Sequence, residues 1–463
     1  MIKEFVAGFD SSRNGDLILV NSPLRDYAER LKDDYEVLPP LGLGYIATQA
    51  AHEGFNVGLI DAEHFGIEQS KLANMVNDLN PRYVGINVFT PNRLQSLLFA
   101  QKLSSDIPLI IGGPHATTLS EKTLYEFSAV HEKVILIKGE AEFAVSKVLN
   151  GQSVCSIPGV FWLENENLKC TPGLSTPNNL DELPILDRKF LANDPSVDSH
   201  TGKIESRVLT SRGCPFNCTI CAGARDVLNL PARKRCVDNV AQEIRGLVLD
   251  DKVQSIRFVD DLFISSEKRI RSILDTVKTY NIPNIYWDAT GRASILAKFS
   301  PNFFDYLKQN GASEIAIGIE SGSERLRKKI NKQVSLQEIN KSVEELIKRD
   351  IKVKGYFVIG IPTETREETL STLNLARQLT LENKGNFRAS IFIFRPYPET
   401  QEWKDLIKLG FDENDLLSMN AEGSGERAKH MVLTTQQFGE CSTEELSNLL
   451  LQYENWQSEL FPQ

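Results

Sequence analysis

Three cysteines stand close together near the middle of the chain, at Cys214, Cys218 and Cys221, in a C-x3-C-x2-C spacing. Thiolates are the ligands of iron–sulfur clusters and of many zinc sites, and a structural zinc site closes with four ligands. Three thiolates on one short loop can hold a single [4Fe–4S] cluster and leave one iron open for a small molecule. The spacing therefore predicts a metal centre with these three cysteines as its ligands.

Two other interpretations of the same cysteines stay open at this point. The loop could form a zinc knuckle that takes Cys236 or a histidine as its fourth ligand. The three residues could also be unrelated core cysteines, since free cysteine is among the most buried residue types. Spacing alone does not separate these interpretations from an open cluster.

The composition is that of a globular protein of two or three domains, with 463 residues of which 41% are hydrophobic and 25% charged. The 62 Asp and Glu residues outnumber the 52 Lys and Arg residues, so the net charge is −10. Nucleic-acid binding depends on clustered positive charge, and we therefore expect no nucleic-acid partner. No apolar run reaches membrane-spanning length, and seven cysteines, an odd number, favour a reducing compartment. We expect a cytoplasmic protein that does not contact a membrane.

Strand and helix patterns alternate through the N-terminal part of the chain. Five short buried strands are predicted to begin near Asp16, Asn56, Tyr83, Leu109 and Lys133. This alternation predicts an α/β fold with a doubly wound parallel, Rossmann-like sheet over residues 1–176. Residues 177–200 are rich in Pro, Asp and Asn and are predicted to be a linker.

The carboxyl ends of these strands form the predicted ligand edge of the first domain, because ligands on doubly wound sheets bind there. Thr90 follows the third predicted strand, and Gly112 and Gly113 end the fourth. Glycines at this place let the backbone approach a bulky planar ligand or its phosphate tail. The same glycines are also compatible with ordinary turns, so the pattern does not name a ligand.

A second series of strands and helices occupies residues 201–400. Six strands can be counted in it, which predicts a barrel or partial barrel with its chemistry at the carboxyl ends of the strands. Residues 401–463 are predicted to be a small helical C-terminal region. Its polar loop from Asn420 to Arg427 could cover the mouth of the barrel.

The run from Leu209 to Cys221 closely resembles the cluster loop of radical S-adenosylmethionine (radical SAM) enzymes. The chain is most similar to the branch with an N-terminal cobalamin-binding-type domain, through Pro40–Ala47, Gly112–Thr117 and Lys138–Glu142. The resemblance implies a partial (β/α)6 barrel. It also implies a [4Fe–4S] cluster whose open iron chelates the amino and carboxylate groups of S-adenosylmethionine.

Three residues of the barrel are implied by the resemblance to hold the methionine part of S-adenosylmethionine. Asp260 and Asp261 stand where the family has an acidic motif near the methionine ammonium, which a carboxylate would accept through charge-assisted hydrogen bonds. Arg292 would form a bidentate pair with the methionine carboxylate. The structural alternatives are an acidic pair at a helix N-terminus and a surface arginine.

The rest of the cofactor is assigned by the same resemblance. Glu320 and Ser321 match the ribose-contact region, and Gly360 and Ile361 match the strand that contacts adenine. The alternative for Gly360 and Ile361 is an ordinary buried strand that stops at a proline. Four further side chains are candidates for lining the substrate cavity: Tyr286, Trp287, Arg395 and Tyr397.

For the first domain the resemblance implies contacts to cobalamin from Thr90, Gly112 and Gly113, but relatives with and without cobalamin are both known. Members that bind cobalt through a histidine carry Asp-x-His-x-x-Gly. This chain has Asp61-Ala-Glu-His-Phe-Gly66, with His64 one place later. We therefore do not expect His64 to be an axial cobalt ligand.

The implied activity is reductive cleavage of S-adenosylmethionine to a 5′-deoxyadenosyl radical that takes hydrogen from a substrate C–H bond. We expect cobalamin-dependent methyl transfer to a small molecule or peptide in specialised metabolism, with an electron donor of the flavodoxin or ferredoxin type. No residue is assigned as a catalytic acid, base or nucleophile.

Two alternatives to methyl transfer remain. One is a radical SAM dehydratase, rearrangement or cyclisation enzyme without cobalamin, and the other is a non-catalytic, metal-stabilised binding module. A tRNA methylthiotransferase is not favoured, because the N-terminal half has only Cys155 and Cys170 and no second cluster triad.

Overall fold

The computed structural model describes residues 4–28, 37–198, 201–418 and 436–460. The chain divides into two compact units between Asp194 and Pro195. That position lies within residues 177–200, the predicted linker. Residues 401–418 and 436–460 belong to the second unit. The finer division into four segments stays a prediction.

The described residues of the first unit form a seven-stranded sheet. Its strands are β1 (Leu17–Asn21), β2 (Val57–Asp61), β3 (Tyr83–Asn87), β4 (Leu109–Gly112), β5 (Val134–Ile137), β6 (Val160–Glu164) and β7 (Asn167–Cys170). The order across the sheet is β2-β1-β3-β4-β5-β6-β7. Strands β2 to β5 in this order are parallel, and β6 and β7 continue the sheet as an antiparallel hairpin. The predicted doubly wound sheet is therefore confirmed.

One or two helices follow each of the five parallel strands of this unit. They are α1 (Leu41–His52), α2 (Ala62–Phe65), α3 (Gln69–Leu79), α4 (Arg93–Lys102), α5 (Pro114–Thr118), α6 (Ser120–Ser128) and α7 (Glu142–Leu149). The sequence did not predict α5 and α6, although parallel neighbours such as β4 and β5 require a crossover between them. Short 3-10 turns follow at Val154–Ser156, Leu180–Glu182 and Arg188–Phe190.

The central strands of the first unit are almost continuous apolar runs, as expected for strands covered by helices on both faces. Their side chains form one hydrophobic core, which includes Ile18, Val20, Ile60, Val84 and Ile86. Because both faces are covered, the carboxyl edge of the sheet is the place where a ligand can reach the backbone.

The second unit contains another seven-stranded sheet and a small ribbon in its described residues. The strands are β8 (Ser196–Val197), β9 (Ile204–Val208), β10 (Ser211–Arg212), β11 (Arg233–Lys234), β12 (Ser255–Phe258), β13 (Tyr286–Gly291), β14 (Ala312–Glu320), β15 (Lys352–Ile359) and β16 (Phe387–Ile393). The sheet has the order β16-β15-β14-β13-β12-β9-β8, and β10 pairs with β11 to form the ribbon. Six strands, from β9 to β16 in this order, are parallel. This is the predicted partial (β/α)6 barrel.

The helices of the second unit alternate with these strands and then continue to the C-terminal region. They are α8 (Arg225–Leu228), α9 (Val237–Leu249), α10 (Glu267–Thr279), α11 (Ala293–Leu296), α12 (Pro301–Gln309), α13 (Glu324–Lys329), α14 (Leu336–Ile347), α15 (Arg366–Glu382), α16 (Gln401–Lys408), α17 (Glu413–Leu417) and α18 (Thr443–Leu460). Ser335 and Glu338 form a capping box that starts α14, and Thr365 with Glu368 forms another at α15.

Side chains alternate between the two faces of the barrel strands. On one face, Ile315, Ile317 and Ile319 of β14 are fully buried in the core that lies under the helices. On the other face, Glu314 forms a bidentate pair with Arg388, with distances of 2.9 and 2.7 Å. Trp287 belongs to the core, with its indole N–H donating to the Asn310 carbonyl at 2.7 Å. The expectation that Trp287 lines a substrate cavity is therefore wrong, because its position in β13 directs it to the helix-covered face.

In the part of the chain that the structure describes, no helix is both long enough and apolar enough to cross a membrane. The polar loop from Asn420 to Arg427, predicted to cover the barrel mouth, lies outside the described residues.

Candidate functional site

The predicted cofactor residues of the second unit lie at one edge of its parallel sheet. Each stands at the end of its strand or within three residues after it: Asp260, Asp261, Arg292, Glu320, Ser321, Gly360 and Ile361. Because the carboxyl ends of parallel strands meet at the same edge, the fold brings these residues to the predicted side of the barrel.

The three cysteines lie on residues 213–224, here called the cluster loop, which begins directly after β10. Gly213 has a φ of +87°, a conformation that favours glycine, and its N–H donates to Asp261 Oδ2 at 3.0 Å. Within the loop, the N–H of Cys221 donates to the carbonyl of Cys218 at 3.1 Å. These turns keep the three thiols on one short segment.

The two residues that directly follow α13, Ile330 and Asn331, support the cluster loop. The Ile330 carbonyl accepts from the N–H of Thr219 at 3.1 Å, and Asn331 Nδ2 donates to the Asn217 carbonyl at 2.8 Å. The thiol of Cys218 lies 4.0 Å from the Asn331 carbonyl oxygen. Asn331 adopts a left-handed φ of +55°, which turns the chain at this point. The loop conformation is thus fixed by residues more than a hundred positions later in the chain.

The thiols of Cys214 and Cys221 need a positively charged centre to be ionised. Burial raises the pKa of Cys221 to about 11, and the neighbouring cysteines and Asp261 act in the same direction. Burial also raises the pKa of Cys214. Cysteine thiols must lose their protons to become metal ligands, so cluster assembly here releases protons.

The donor set fits an iron–sulfur cluster better than a single ion. Among the described residues, no three His, Cys, Asp or Glu side chains converge to hold one metal ion. A [4Fe–4S] cluster instead takes its thiolates on different irons, which suits three cysteines spread along one loop. Cys214, Cys218 and Cys221 are therefore the residues that would hold the cluster.

The two predicted aspartates make different contacts. Asp260 is 2% exposed and accepts three hydrogen bonds of 2.6 Å, from the N–H and hydroxyl of Thr210 and the hydroxyl of Ser211. Its carboxylate is engaged with the strand that leads into the cluster loop. Asp261 accepts from Gly213 and lies beside Cys221: a Cβ added to Gly223 would meet Asp261 Oδ1 at 3.2 Å and Cys221 Sγ at 3.7 Å. Asp261 is thus the aspartate that faces the cluster loop.

Arg292 also lies against the cluster loop. Its Nη1 donates to Cys218 Sγ at 3.5 Å, and its guanidinium carbon is 4.0 Å from the centroid of the Phe216 ring. Nη2 donates to the carbonyl of Lys332, and Nε donates to Ser294 Oγ at 3.1 Å. Arg292 is buried rather than on the surface. The structure therefore places a positive charge directly beside a predicted cluster ligand.

Glu320 and Ser321 end β14 in different surroundings. Glu320 has a left-handed φ of +68° and pairs with Lys332, whose Nζ lies 2.6 Å from Glu320 Oε1. Ser321 is fully buried, with its hydroxyl 3.0 Å from Thr372 Oγ1. Of the two predicted ribose contacts, Glu320 lies on the side of Arg292 and Lys332, whereas the Ser321 hydroxyl is engaged with α15.

The predicted adenine strand ends in a tight turn. Gly360 has a φ of +77°, and its N–H donates to the carboxylate of Glu364, whose own N–H donates to the Ile361 carbonyl at 2.8 Å. Burial raises the pKa of Glu364 to about 7, and the N–H of Gly360 opposes this shift. Sequence analysis did not identify Glu364 as the residue that shapes this turn.

In the first unit, Thr90 contacts a buried histidine, His115. Thr90 Oγ1 lies 3.0 Å from Nδ1 of His115, which is 1% exposed. His115 Nε2 is buried, and no hydrogen-bond partner for it is found among the residues that the structure describes. Burial, together with the charges of Arg93 and Lys122, lowers the pKa of His115 to about 3, so the ring is neutral. Buried polar atoms are normally hydrogen-bonded. A ligand that binds at this edge could supply the polar group that bonds to this nitrogen.

At the same edge the backbone packs so closely that one position, Gly113, has no room for a side chain. Gly113 has a φ of +96°, and a Cβ there would meet the N and O of Val88 at 2.8 Å. Beside it, Asn21 Nδ2 donates to Asp61 Oδ1 at 2.7 Å and Asn87 Nδ2 donates to Asn21 Oδ1 at 3.2 Å. This row of polar side chains ends β1, β2 and β3.

Exposed apolar side chains lie on loops at this edge of the first unit. Leu38, just before α1, is 60% exposed, and Phe89, just after β3, is 39% exposed. This apolar surface lies at the same edge as the polar side chains that end β1 to β3 and the closely packed backbone at Gly113. The combination fits a large planar ligand with a polar tail, and cobalamin is such a ligand. Thr90, Gly112, Gly113 and His115 are the residues that would hold it.

The position of the family's axial histidine is occupied by Glu63 in this chain. Glu63 is buried, and Glu63 Oε2 accepts from the N–H of Leu24 at 2.7 Å. His64 lies one residue later on α2, where its N–H donates to Asp61 Oδ1 at 3.1 Å and its ring packs against Phe65. The expectation that His64 is not an axial ligand stays a prediction.

Comparison with protein families gives two matches that together span both units. A model described as the radical SAM superfamily matches residues 208–376, and one described as a B12 binding domain matches residues 33–148. These matches confirm the resemblance predicted from the sequence, the fold class and the cofactors expected from it, namely a [4Fe–4S] cluster, S-adenosylmethionine and cobalamin.

Several curated proteins are similar along most of the chain. An uncharacterized methyltransferase of Pyrococcus horikoshii is 29% identical over 82% of this chain and 80% of its own length. The cytidylyl-2-hydroxyethylphosphonate methyltransferase of Streptomyces wedmorensis is 24% identical over 80% of this chain and 78% of its own length. The bacteriochlorophyllide d C-12(1)-methyltransferase of Chlorobaculum tepidum is 24% identical over 65% of this chain and 60% of its own length.

Solved structures show the same fold. TsrM from Kitasatospora setae, solved with cobalamin and a [4Fe–4S] cluster bound, has a TM-score of 0.65 at 16% identity over 94% of this chain and 82% of that chain. OxsB with aqua-cobalamin bound has a TM-score of 0.61 at 17% identity over 96% of this chain and 62% of that chain. At these identities the likeness concerns the fold alone.

Proposed function

We propose that this chain, which belongs to the radical SAM superfamily and carries a B12-binding domain before its radical SAM domain, is a cobalamin-dependent radical SAM methyltransferase. It activates S-adenosylmethionine reductively, takes hydrogen from a substrate C–H bond and transfers a methyl group to a small molecule or peptide. The observation that carries the proposal is the presence in one chain of a three-cysteine cluster loop and of a ligand edge suited to cobalamin.

Similarity to methyltransferases supports methyl transfer over the alternatives without cobalamin. The relatives from Pyrococcus, Streptomyces and Chlorobaculum are all called methyltransferases, although the last two act on a cytidylyl phosphonate and a bacteriochlorophyllide. Because these substrates differ so much, they do not identify the substrate of this chain. A non-catalytic binding module is not favoured, since the chain matches an enzyme superfamily over the barrel.

At the edge of the barrel, some residues bind the cluster and others orient the loop that carries its ligands. Cys214, Cys218 and Cys221 hold the cluster, Arg292 places a cation beside Cys218 at 3.5 Å, and Asp261 orients the start of the loop. When bound, the cluster and cobalamin supply one-electron and methyl-transfer chemistry that side chains lack. We assign Asp261 and Arg292 to the methionine part of S-adenosylmethionine, Glu320 to its ribose and Gly360 with Ile361 to its adenine.

We further propose that the electron donor is a flavodoxin or ferredoxin and that the enzyme works in the cytoplasm. Part of Cys221 is exposed, so the cluster would lie near the surface, within reach of a donor protein. Seven cysteines and no disulfide among the described residues suit a reducing compartment.

Anaerobic reconstitution of the full chain tests the proposal. We expect about four irons per chain and a corrinoid absorption spectrum, and both the iron and 5′-deoxyadenosine formation should be lost in Cys218→Ala. With S-adenosylmethionine labelled in its methyl group, substrate panels should yield a labelled product that requires cobalamin. Turnover without any bound corrinoid would leave a radical SAM enzyme but contradict methyl transfer through cobalamin, and one zinc in place of iron would contradict the whole proposal.

A further inference from the structure

Thr219, which lies between the second and third cysteines, has its three polar groups engaged. Its N–H donates to the Ile330 carbonyl at 3.1 Å. Its carbonyl accepts from the N–H of Glu402 at 3.1 Å, and its hydroxyl donates to Glu402 Oε1, also at 3.1 Å. Two of the three bonds therefore go to a single residue of α16, beyond the last strand of the barrel.

Glu402 is itself held by an ion pair. Its two carboxylate oxygens accept from Lys329 Nζ at 2.7 and 2.8 Å. The Glu402 side chain is 4% exposed and that of Lys329 is 27% exposed. A buried carboxylate is costly unless it is paired and hydrogen-bonded, so the position of Glu402 is determined by Lys329 on α13 and by Thr219 together.

This arrangement connects two helices to the loop at the point between two ligands. Lys329 is the last residue of α13, whose next residues Ile330 and Asn331 also contact the loop. Glu402 lies in the first turn of α16, where its N–H has no partner within the helix and is satisfied by the Thr219 carbonyl. The loop is thus fixed from two sides.

We propose that the Lys329–Glu402 pair positions the cluster: it sets the Cys218–Cys221 segment for ligation and protects the cluster from loss. The inference rests on the proposed cluster site and adds to it a positioning pair that no cysteine pattern reveals. Mutation of groups that orient metal ligands without touching the metal typically lowers metal affinity or activity by about 10- to 100-fold. Glu402 and Lys329 are positioning residues, because they act on the cluster loop through Thr219.

The test uses full-length protein reconstituted anaerobically, with three variants. Glu402→Gln keeps the size of the side chain but removes its charge, Lys329→Met removes the cation, and Thr219→Val removes only the hydroxyl. The rate of iron removal by a chelator is measured, with the EPR spectrum and midpoint potential of the reduced cluster. We expect iron loss about 10 to 100 times faster in Glu402→Gln and Lys329→Met, with an altered EPR spectrum, and a smaller effect in the same direction in Thr219→Val.

An exposed ion pair on the same helix provides the matched control. Lys328 and Glu324 lie 2.6 Å apart, with side chains 73% and 68% exposed. Lys328→Met and Glu324→Gln should retain the cluster as the wild type does. If Glu402→Gln folds poorly, the decisive variant is Thr219→Val, because it leaves the Lys329–Glu402 ion pair intact.

Two outcomes separate this inference from the proposed function. A wild-type chain that holds no [4Fe–4S] cluster would overturn the proposed function itself. A wild-type chain with a normal cluster, together with unchanged chelation and EPR in Glu402→Gln and Thr219→Val, would overturn only the positioning role. Equal effects in Glu324→Gln would also overturn it, because they would show a general response to lost charge.

Discussion

Adjacent aspartates at the end of β12 differ in what they stabilise. Asp260 accepts three short hydrogen bonds from Thr210 and Ser211 inside the protein, whereas Asp261 accepts from Gly213 of the cluster loop. A carboxylate that satisfies buried donors supports folding, and one beside ligand residues supports metal binding. Two neighbouring residues of the same type thus have separable roles.

We predict that Asp260→Asn lowers the free energy of unfolding by about 2 kcal/mol, because an amide nitrogen cannot accept from the donors of Thr210 and Ser211. Asp261→Asn should leave stability nearly unchanged but weaken cluster retention about tenfold or more. Chemical denaturation and chelator challenge measure the two effects. Each variant is the control for the other, and identical behaviour of both would contradict the distinction.

His115 is expected to make the first unit sensitive to acid. Its pKa is lowered to about 3 in the folded protein from an ordinary value of 6.5, so below pH 6.5 the unfolded chain takes up a proton that the folded chain refuses. This lowers the free energy of unfolding by about 1.4 kcal/mol for each pH unit between 6.5 and 3. His115→Asn should flatten this dependence in denaturation measured from pH 4 to 7. Exposed His52→Asn should keep the wild-type slope, and an equal slope in both variants would rule out this origin.

At the scale of the elements, Glu368 joins the starts of two helices. It completes the capping box of α15 with Thr365 and accepts from Ser323, the N-cap of α13, at 2.6 Å. Arg325 forms a bidentate pair with the same carboxylate and, with Ser323 and Thr365, lowers the pKa of Glu368 to about 2. This contribution to stability is present above the ordinary pKa of a glutamate and is lost as the pH falls towards 2.

Replacing Glu368 should therefore affect both helices. We predict that Glu368→Gln lowers the free energy of unfolding by about 1 kcal/mol at neutral pH, an estimate reduced for the partial exposure of the pair. Glu367→Gln, an exposed neighbour in the same turn, should change it little. Thermal unfolding at pH 7 compares the two variants, and equal shifts in melting temperature would show that the shared capping role is absent.

For the whole molecule, the two compact units imply that the two cofactor sites can be lost separately. Gly113→Val introduces a Cβ where Val88 N and O leave only 2.8 Å, at a φ of +96°, and should abolish corrinoid binding. We expect this variant to retain full iron, while Cys218→Ala loses iron and keeps the corrinoid. Iron analysis and visible spectra of both variants measure this, and loss of both cofactors from either one would show that the sites depend on each other.

Much of the fold and part of the site follow from local patterns in the chain. Short apolar strands that alternate with helices are local patterns, and they predicted both parallel sheets and the six barrel strands. The cysteine spacing indicated a metal centre because one short loop carries all three thiols, and the resemblance to radical SAM enzymes indicated that the centre is an iron–sulfur cluster. For residues at the strand ends, the sequence predicted that they lie at one edge of the sheet, but it did not predict what each side chain contacts.

The sequence by itself determined the order of elements, the cluster loop and the ligand edges, because each depends on neighbours in the chain. Only the tertiary structure decided which side chains face those edges: Trp287 turns into the core, Asp260 is engaged by Thr210 and Ser211, and Glu402 reaches Thr219 from α16. Those contacts join residues up to 183 positions apart. Side-chain pairing at such separation depends on strand order and helix packing, which no local pattern encodes.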